Sequence, residues 1–135
     1  MNEKIGMLKN FSIDGIELCF ICPENLLNFV INQENLRYLW TLKFISIHSP
    51  WEEISYGNNQ KCKDALGAIE KLYKQINAKN VVFHPEKIED INILKNYDFT
   101  ASIENKDWRY NSVNTFEQIE MILNKNKNLK FTSVD

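Results

Sequence analysis

Apolar residues in this chain fall into short runs, and the segments between them repeat at helical spacing. The run GIELCFI at 15–21, after the turn-forming pair Asp14-Gly15, predicts a strand. Pro23, Glu24 and Asn25 then open a segment in which Leu26, Leu27, Val30, Ile31, Leu36, Leu39 and Trp40 recur near every third or fourth position. A break is expected around 32–35. Residues 44–48 predict the next strand, stopped by Ser49 and Pro50. Residues 51–60 lack periodicity and predict a loop of the kind that carries function. From Lys61, the positions Ala65, Leu66, Ile69, Leu72, Tyr73 and Ile76 predict an amphipathic helix. The unit then repeats, with a strand at 81–84, a short helix at 86–96 and a strand at 99–104. A polar loop at 106–114, a helix capped by Thr115 and a final strand at 129–135 complete the pattern. Strands alternating with helices predict an α/β domain with a parallel sheet and right-handed crossovers. No linker or low-complexity tract interrupts it, so residues 1–135 are expected to form a single domain.

The strand ends carry chemistry. FISIHSP reaches His48, NVVFHP reaches His84, FTASIEN reaches Glu104 and LKFTSVD reaches Asp135. Each interval leaves room for a helix, so in a parallel sheet the four side chains emerge at one edge, as active-site groups do in (β/α) barrels. Two imidazoles and two carboxylates suit Zn²⁺, Mn²⁺ or a similar divalent ion. Taken singly, a His before Pro can instead satisfy a backbone carbonyl, and Asp135 can be solvated. Glu104 is costly to bury on an apolar strand without a partner. Trp51, Trp108 and Tyr110 offer faces for stacking on a sugar or base, or can pack over the strand ends. Lys106 and Arg109 are candidates for a phosphate, against the alternative of a solvated loop.

Composition narrows the options. With 44% apolar and 25% charged residues in 135, the chain is ordinary globular material. A net charge of −2 gives no global field for nucleic acid, and no run is long enough to span a bilayer. The start MNEKIGMLKN lacks a hydrophobic signal core, which predicts a cytoplasmic protein. Three cysteines do not form a disulfide framework. Cys19 and Cys22 make a single C-x-x-C inside an apolar segment and are expected to be buried or inert thiols rather than redox or metal groups.

In their order and spacing, the motifs SIHSP, VVFHP, SIEN and TSVD resemble those of the xylose-isomerase-like (β/α)8 barrels. That superfamily includes sugar-phosphate isomerases and epimerases and the second family of apurinic-site endonucleases. The likeness runs from about Gly15 to Asp135, with ENKD (Glu104, Asn105, Asp107) and the loop WEEISYGNN also within its pattern. The resemblance implies a TIM-type barrel, here partial, with about five parallel strands where the family has eight. It implies that Glu104 and Asp135 are metal ligands in both branches, that His84 binds zinc in the endonucleases or contacts substrate in the isomerases, and that His48 is a further endonuclease ligand. Glu104 and His84 would then be catalytic, with Trp51, Asn105, Asp107, Trp108 and Arg109 lining a sugar or sugar-phosphate site. Relatives continue past Asp135 with D-x-x-H and further ligand-bearing strands. The expectation is therefore a truncated, split or degraded barrel, completed by self-association or by another chain. Three functions follow: a metal-dependent isomerase or epimerase, a partner-completed non-catalytic half-barrel, and a phosphodiesterase on abasic DNA, the last disfavoured by the acidic charge.

Overall fold

The computed structural model describes residues 1–104 and the strand Phe131–Val134. Five strands, β1 (Gly15–Cys19), β2 (Phe44–His48), β3 (Asn80–Phe83), β4 (Ala101–Glu104) and β5 (Phe131–Val134), lie in the order β1-β2-β3-β4-β5. Every neighbouring pair is parallel. This sequential parallel order, with crossovers between strands, is that of a partial TIM-type barrel and bears out the predicted fold class.

Helix α1 (Asn2–Leu8) precedes the sheet, α2 (Pro23–Leu27) and α3 (Gln33–Leu39) join β1 to β2, and α4 (Gln60–Ile76) joins β2 to β3. The expected break between α2 and α3 is present. Asn32 caps α3 by accepting from the Asn35 amide at 2.8 Å. Helix α4 is capped by Asn59, which accepts from the Cys62 amide at 2.8 Å, and it stops at Asn77, a residue in the left-handed conformation with φ 56°. Its buried stripe of Cys62, Ala65, Leu66, Ile69, Leu72 and Ile76 packs on β2 and β3. No helix among the described residues is long and apolar enough to cross a membrane.

Two local expectations are corrected. Helix α1 was not expected, because only Ile5 of its seven residues is buried and a single anchor leaves no period to read. Residues 86–96 form two 3₁₀ turns, Pro85–Lys87 and Ile91–Asn96, instead of one helix. The backbone there is engaged elsewhere. Tyr56 donates its amide to the Lys87 carbonyl at 2.7 Å and accepts from the amides of Glu89 and Asp90, while the Asp90 side chain takes the Asn92 amide. These bonds consume groups that an α-helix would need.

The period of two along each strand gives the sheet unlike faces. Leu18, Ile45, Ile47, Val81, Phe83 and Ala101 belong to one buried apolar cluster with the helices, and Ile103 is buried on the same face. The opposite face carries Glu17 and Cys19 on β1, Ser46 and His48 on β2, Asn80 and Val82 on β3, and Ser102 and Glu104 on β4. Val82 is buried yet lies outside the core cluster, as this alternation requires. The polar face is internally bonded: Ser46 donates to Glu17 at 2.8 Å and Asn80 to Ser102 at 2.9 Å. At the start of β1 a Cβ on Gly15 would stand 2.6 Å from the Phe44 carbonyl oxygen, so only glycine lets the two strands approach there.

Candidate metal centre

Three of the four strand-end residues converge. His48 ends β2, His84 follows β3 immediately and Glu104 ends β4, so three adjacent strands deliver them to one edge. One ligand atom from each lies within 4.8 Å of the others. The Glu104 Oε2 atom is 3.5 Å from Nε2 of His48 and 3.3 Å from Nε2 of His84. It is buried and makes no hydrogen bond among the described residues, although the two imidazoles flank it.

Those distances discriminate between two arrangements. A charge-assisted N–H to carboxylate bond is about 2.7–2.9 Å long. Two ligands each about 2.1 Å from a common ion, at a tetrahedral angle, are about 3.4 Å apart. The observed pair of separations fits a shared point between the ligands better than direct bonding among them. The residues therefore fit a divalent ion, with neutral nitrogen and carboxylate oxygen donors of the kind zinc accepts.

The surroundings of each imidazole agree. Nδ1 of His48 lies 3.2 Å from the Ser49 carbonyl oxygen. A carbonyl can only accept, so Nδ1 is the donor there and Nε2 is the nitrogen turned to the cluster. Nδ1 of His84 lies 3.4 Å from a carboxylate oxygen of Glu86. A backbone carbonyl behind one histidine and a carboxylate behind the other are the usual outer partners of metal-binding imidazoles. Trp51 covers both rings. It is stacked on His84 with centroids 5.3 Å apart and meets His48 edge-on at 5.0 Å. Its amide and that of Glu52 bond the Ile21 carbonyl, which ties the loop after β2 to the end of β1. The loop is further held by Tyr56, whose hydroxyl donates to the Pro50 carbonyl at 2.8 Å and whose burial pushes its pKa far above the ordinary phenol value.

Of Cys19 and Cys22, expected to be buried or inert thiols, Cys19 is not buried. Its side chain is exposed at the end of β1, Cys22 is half-buried, and only Cys62, on α4, is buried. Placement at the sheet edge and on the polar face, away from the core, keeps Cys19 open. Its thiol pKa is raised by partial burial and then by the nearby carboxylates of Glu17 and Glu104.

Asp135, Asn105, Asp107, Trp108 and Arg109 lie outside the described residues. Sequence reasoning missed Glu86, Ser49 and the polar pairs Glu17–Ser46 and Asn80–Ser102. A signal existed for the polar pairs: Glu17, Ser46 and Ser102 sit two positions before Cys19, His48 and Glu104 on their own strands.

No protein-family model matches the chain, and no curated protein matches it in sequence. Solved structures do match. One, described as the crystal structure of AsfvAP:AG, aligns with a TM-score of 0.64 at 14% identity, over 96% of this chain and 49% of that one. Another, a D-tagatose 3-epimerase-like protein, aligns with a TM-score of 0.54 at 16% identity, over 95% of this chain and 58% of that one. The chain spans about half the length of these structures. At such identities the likeness is one of fold, the sequential parallel β/α arrangement of a partial barrel.

Proposed function

We propose that the chain is a divalent-metal protein whose His48–His84–Glu104 centre serves isomerisation or epimerisation of a sugar or sugar phosphate. The observation that carries this reading is Glu104 Oε2, buried without a hydrogen bond between two imidazole nitrogens at 3.3 and 3.5 Å. The fold shared with a D-tagatose 3-epimerase-like protein supports the substrate class. A bound ion would polarise a substrate carbonyl and its neighbouring hydroxyl. The chain's own groups supply the rest. The Glu104 side chain is 41% exposed while Oε2 is buried, so the exposure falls on the remainder of the carboxyl and its stem. In this reading Oε1 takes or returns the proton. His84, held by Glu86 and roofed by Trp51, orients substrate beside it, and the indole excludes water from one side. Asp135, Asn105, Asp107, Trp108 and Arg109 complete this proposal as further ligand and substrate contacts.

A second reading is phosphodiester hydrolysis at abasic sites. The observation favouring it is that both histidines join the cluster, the pair the motif resemblance assigns to the endonuclease branch. The net charge of −2 weighs against a nucleic-acid substrate.

Native mass spectrometry with Zn²⁺ or Mn²⁺ tests the metal centre. One ion per chain is expected in the wild type, with affinity reduced roughly 100-fold or more in Glu104→Gln, since even outer-shell changes cost about 10–100-fold. Absence of stoichiometric metal sinks both readings. Solvent-deuterium exchange at the carbon beside a ketose carbonyl, set against cleavage of an abasic-site duplex, then separates them.

A further inference from the structure

We propose that the Cys19 thiolate is a fourth protein ligand of this centre, making it a site for zinc or another thiophilic dication rather than for manganese or magnesium. The inference rests on the metal reading of His48, His84 and Glu104. Cys19 ends β1 as His48 ends β2, and the two are direct register partners. Leu18 is in the core, and Glu17 accepts from Ser46 on the polar face. Cys19, two residues beyond Glu17, therefore stands on that polar face beside His48, because strand residues alternate. The row Cys19, His48, His84, Glu104 thus runs along the ends of four consecutive parallel strands.

Two features join the thiol to the cluster. Adjacent strands are about 4.8 Å apart, so Cys19 and its register partner His48, on one face, are neighbours. The thiol is exposed and in no disulfide, so it is free to take up a ligand. It stands outside the three ligand atoms that lie within 4.8 Å of one another, which makes it the ligand that moves on binding.

The donor chemistry gives the reason for a sulfur ligand. The imidazoles and carboxylates proposed for the site are nitrogen and oxygen donors, and a thiolate adds the soft anionic donor they lack. Binding breaks the S–H bond, forms the metal–sulfur bond and releases the proton to solvent. Thiolate ligation also selects zinc and its relatives, since manganese and magnesium favour oxygen donors.

The test uses Co²⁺ as a spectroscopic stand-in, added to the full chain kept reduced with a phosphine. Wild type and Cys22→Ser should both show a near-ultraviolet sulfur-to-cobalt charge-transfer band that saturates at one ion per chain. Cys19→Ser should lose the band while still binding cobalt, and its Zn²⁺ affinity should fall about 10–100-fold with Mn²⁺ affinity unchanged. Stoichiometric cobalt without the band in wild type overturns the thiolate ligand and leaves the histidine–carboxylate centre standing. A band that persists in Cys19→Ser and disappears in Cys22→Ser also overturns it. Failure to bind cobalt in any variant defeats the metal reading and the thiolate together.

Discussion

His84 is held from three directions: Glu104 at Nε2, Glu86 at Nδ1 and the Trp51 ring on its face. A carboxylate behind an imidazole fixes the tautomer and raises the basicity of the opposite nitrogen. Replacing Glu86 by Gln keeps the shape and removes the charge. We expect Glu86→Gln to weaken Zn²⁺ binding by about tenfold, measured by competition with a chelator, with little change in thermal stability; unchanged affinity would show that Glu86 is a bystander. The residues that could be read from sequence and those that could not differ in one respect. His48, His84 and Glu104 announce themselves because each ends an apolar run. Glu86 and Ser49 act through a single side-chain or backbone oxygen aimed at a ring nitrogen, and aim has no signature in the order of residues. The exposure of Cys19 was not legible because its segment, GIELCFI, is apolar on both sides of it, whereas the strand buries Leu18 and leaves Glu17 and Cys19 on the other face.

At the scale of elements, what matters is how the helices hold the strand ends in register. Glu70, on α4, accepts the Asp98 backbone amide at 2.7 Å and the Lys74 ammonium at 3.2 Å, tying the helix to the segment that leads into β4 and so to Glu104. The Asp98 amide, and then Lys74, hold the Glu70 carboxyl below its ordinary pKa, and Lys74 is correspondingly raised. A depressed carboxylate adds stability above its unfolded pKa of about 4.3 and loses it as pH falls through the lower folded value. Glu70→Gln should therefore lower the thermal midpoint by a few degrees at pH 7, with the gap to wild type closing below about pH 4. A gap that stays constant with pH would assign the effect to packing. Helix α4 was legible because six buried positions repeat at helical spacing over seventeen residues. The stretch after β3 was not. Ile88, Ile91 and Leu94 mimic that spacing, but Tyr56 claims the intervening backbone, a contact across thirty residues of sequence that no local pattern encodes.

At the scale of the molecule, one apolar cluster among the described residues extends from Ile5 in α1 to Ala101 in β4, and the three proposed ligands stand on three neighbouring strands above it. Core and site are therefore two faces of the same sheet, which makes their stabilities inseparable. A chain with a single connected core of this size unfolds as one cooperative unit. Far-ultraviolet circular dichroism, dominated by α4, and the fluorescence of tryptophans including Trp51 at the strand ends should report the same midpoint. If fluorescence changes first, the site end opens as a separate unit and the single-domain proposal for residues 1–135 fails. Because an ion held by β2, β3 and β4 binds only the folded sheet, Zn²⁺ at 100 times its dissociation constant should add about 2.7 kcal/mol and move both signals together. In Glu104→Gln that gain should largely vanish while the metal-free midpoint stays close to wild type, since Glu104 packs outside the apolar cluster. A midpoint that rises equally in the variant would place the bound zinc away from the strand ends.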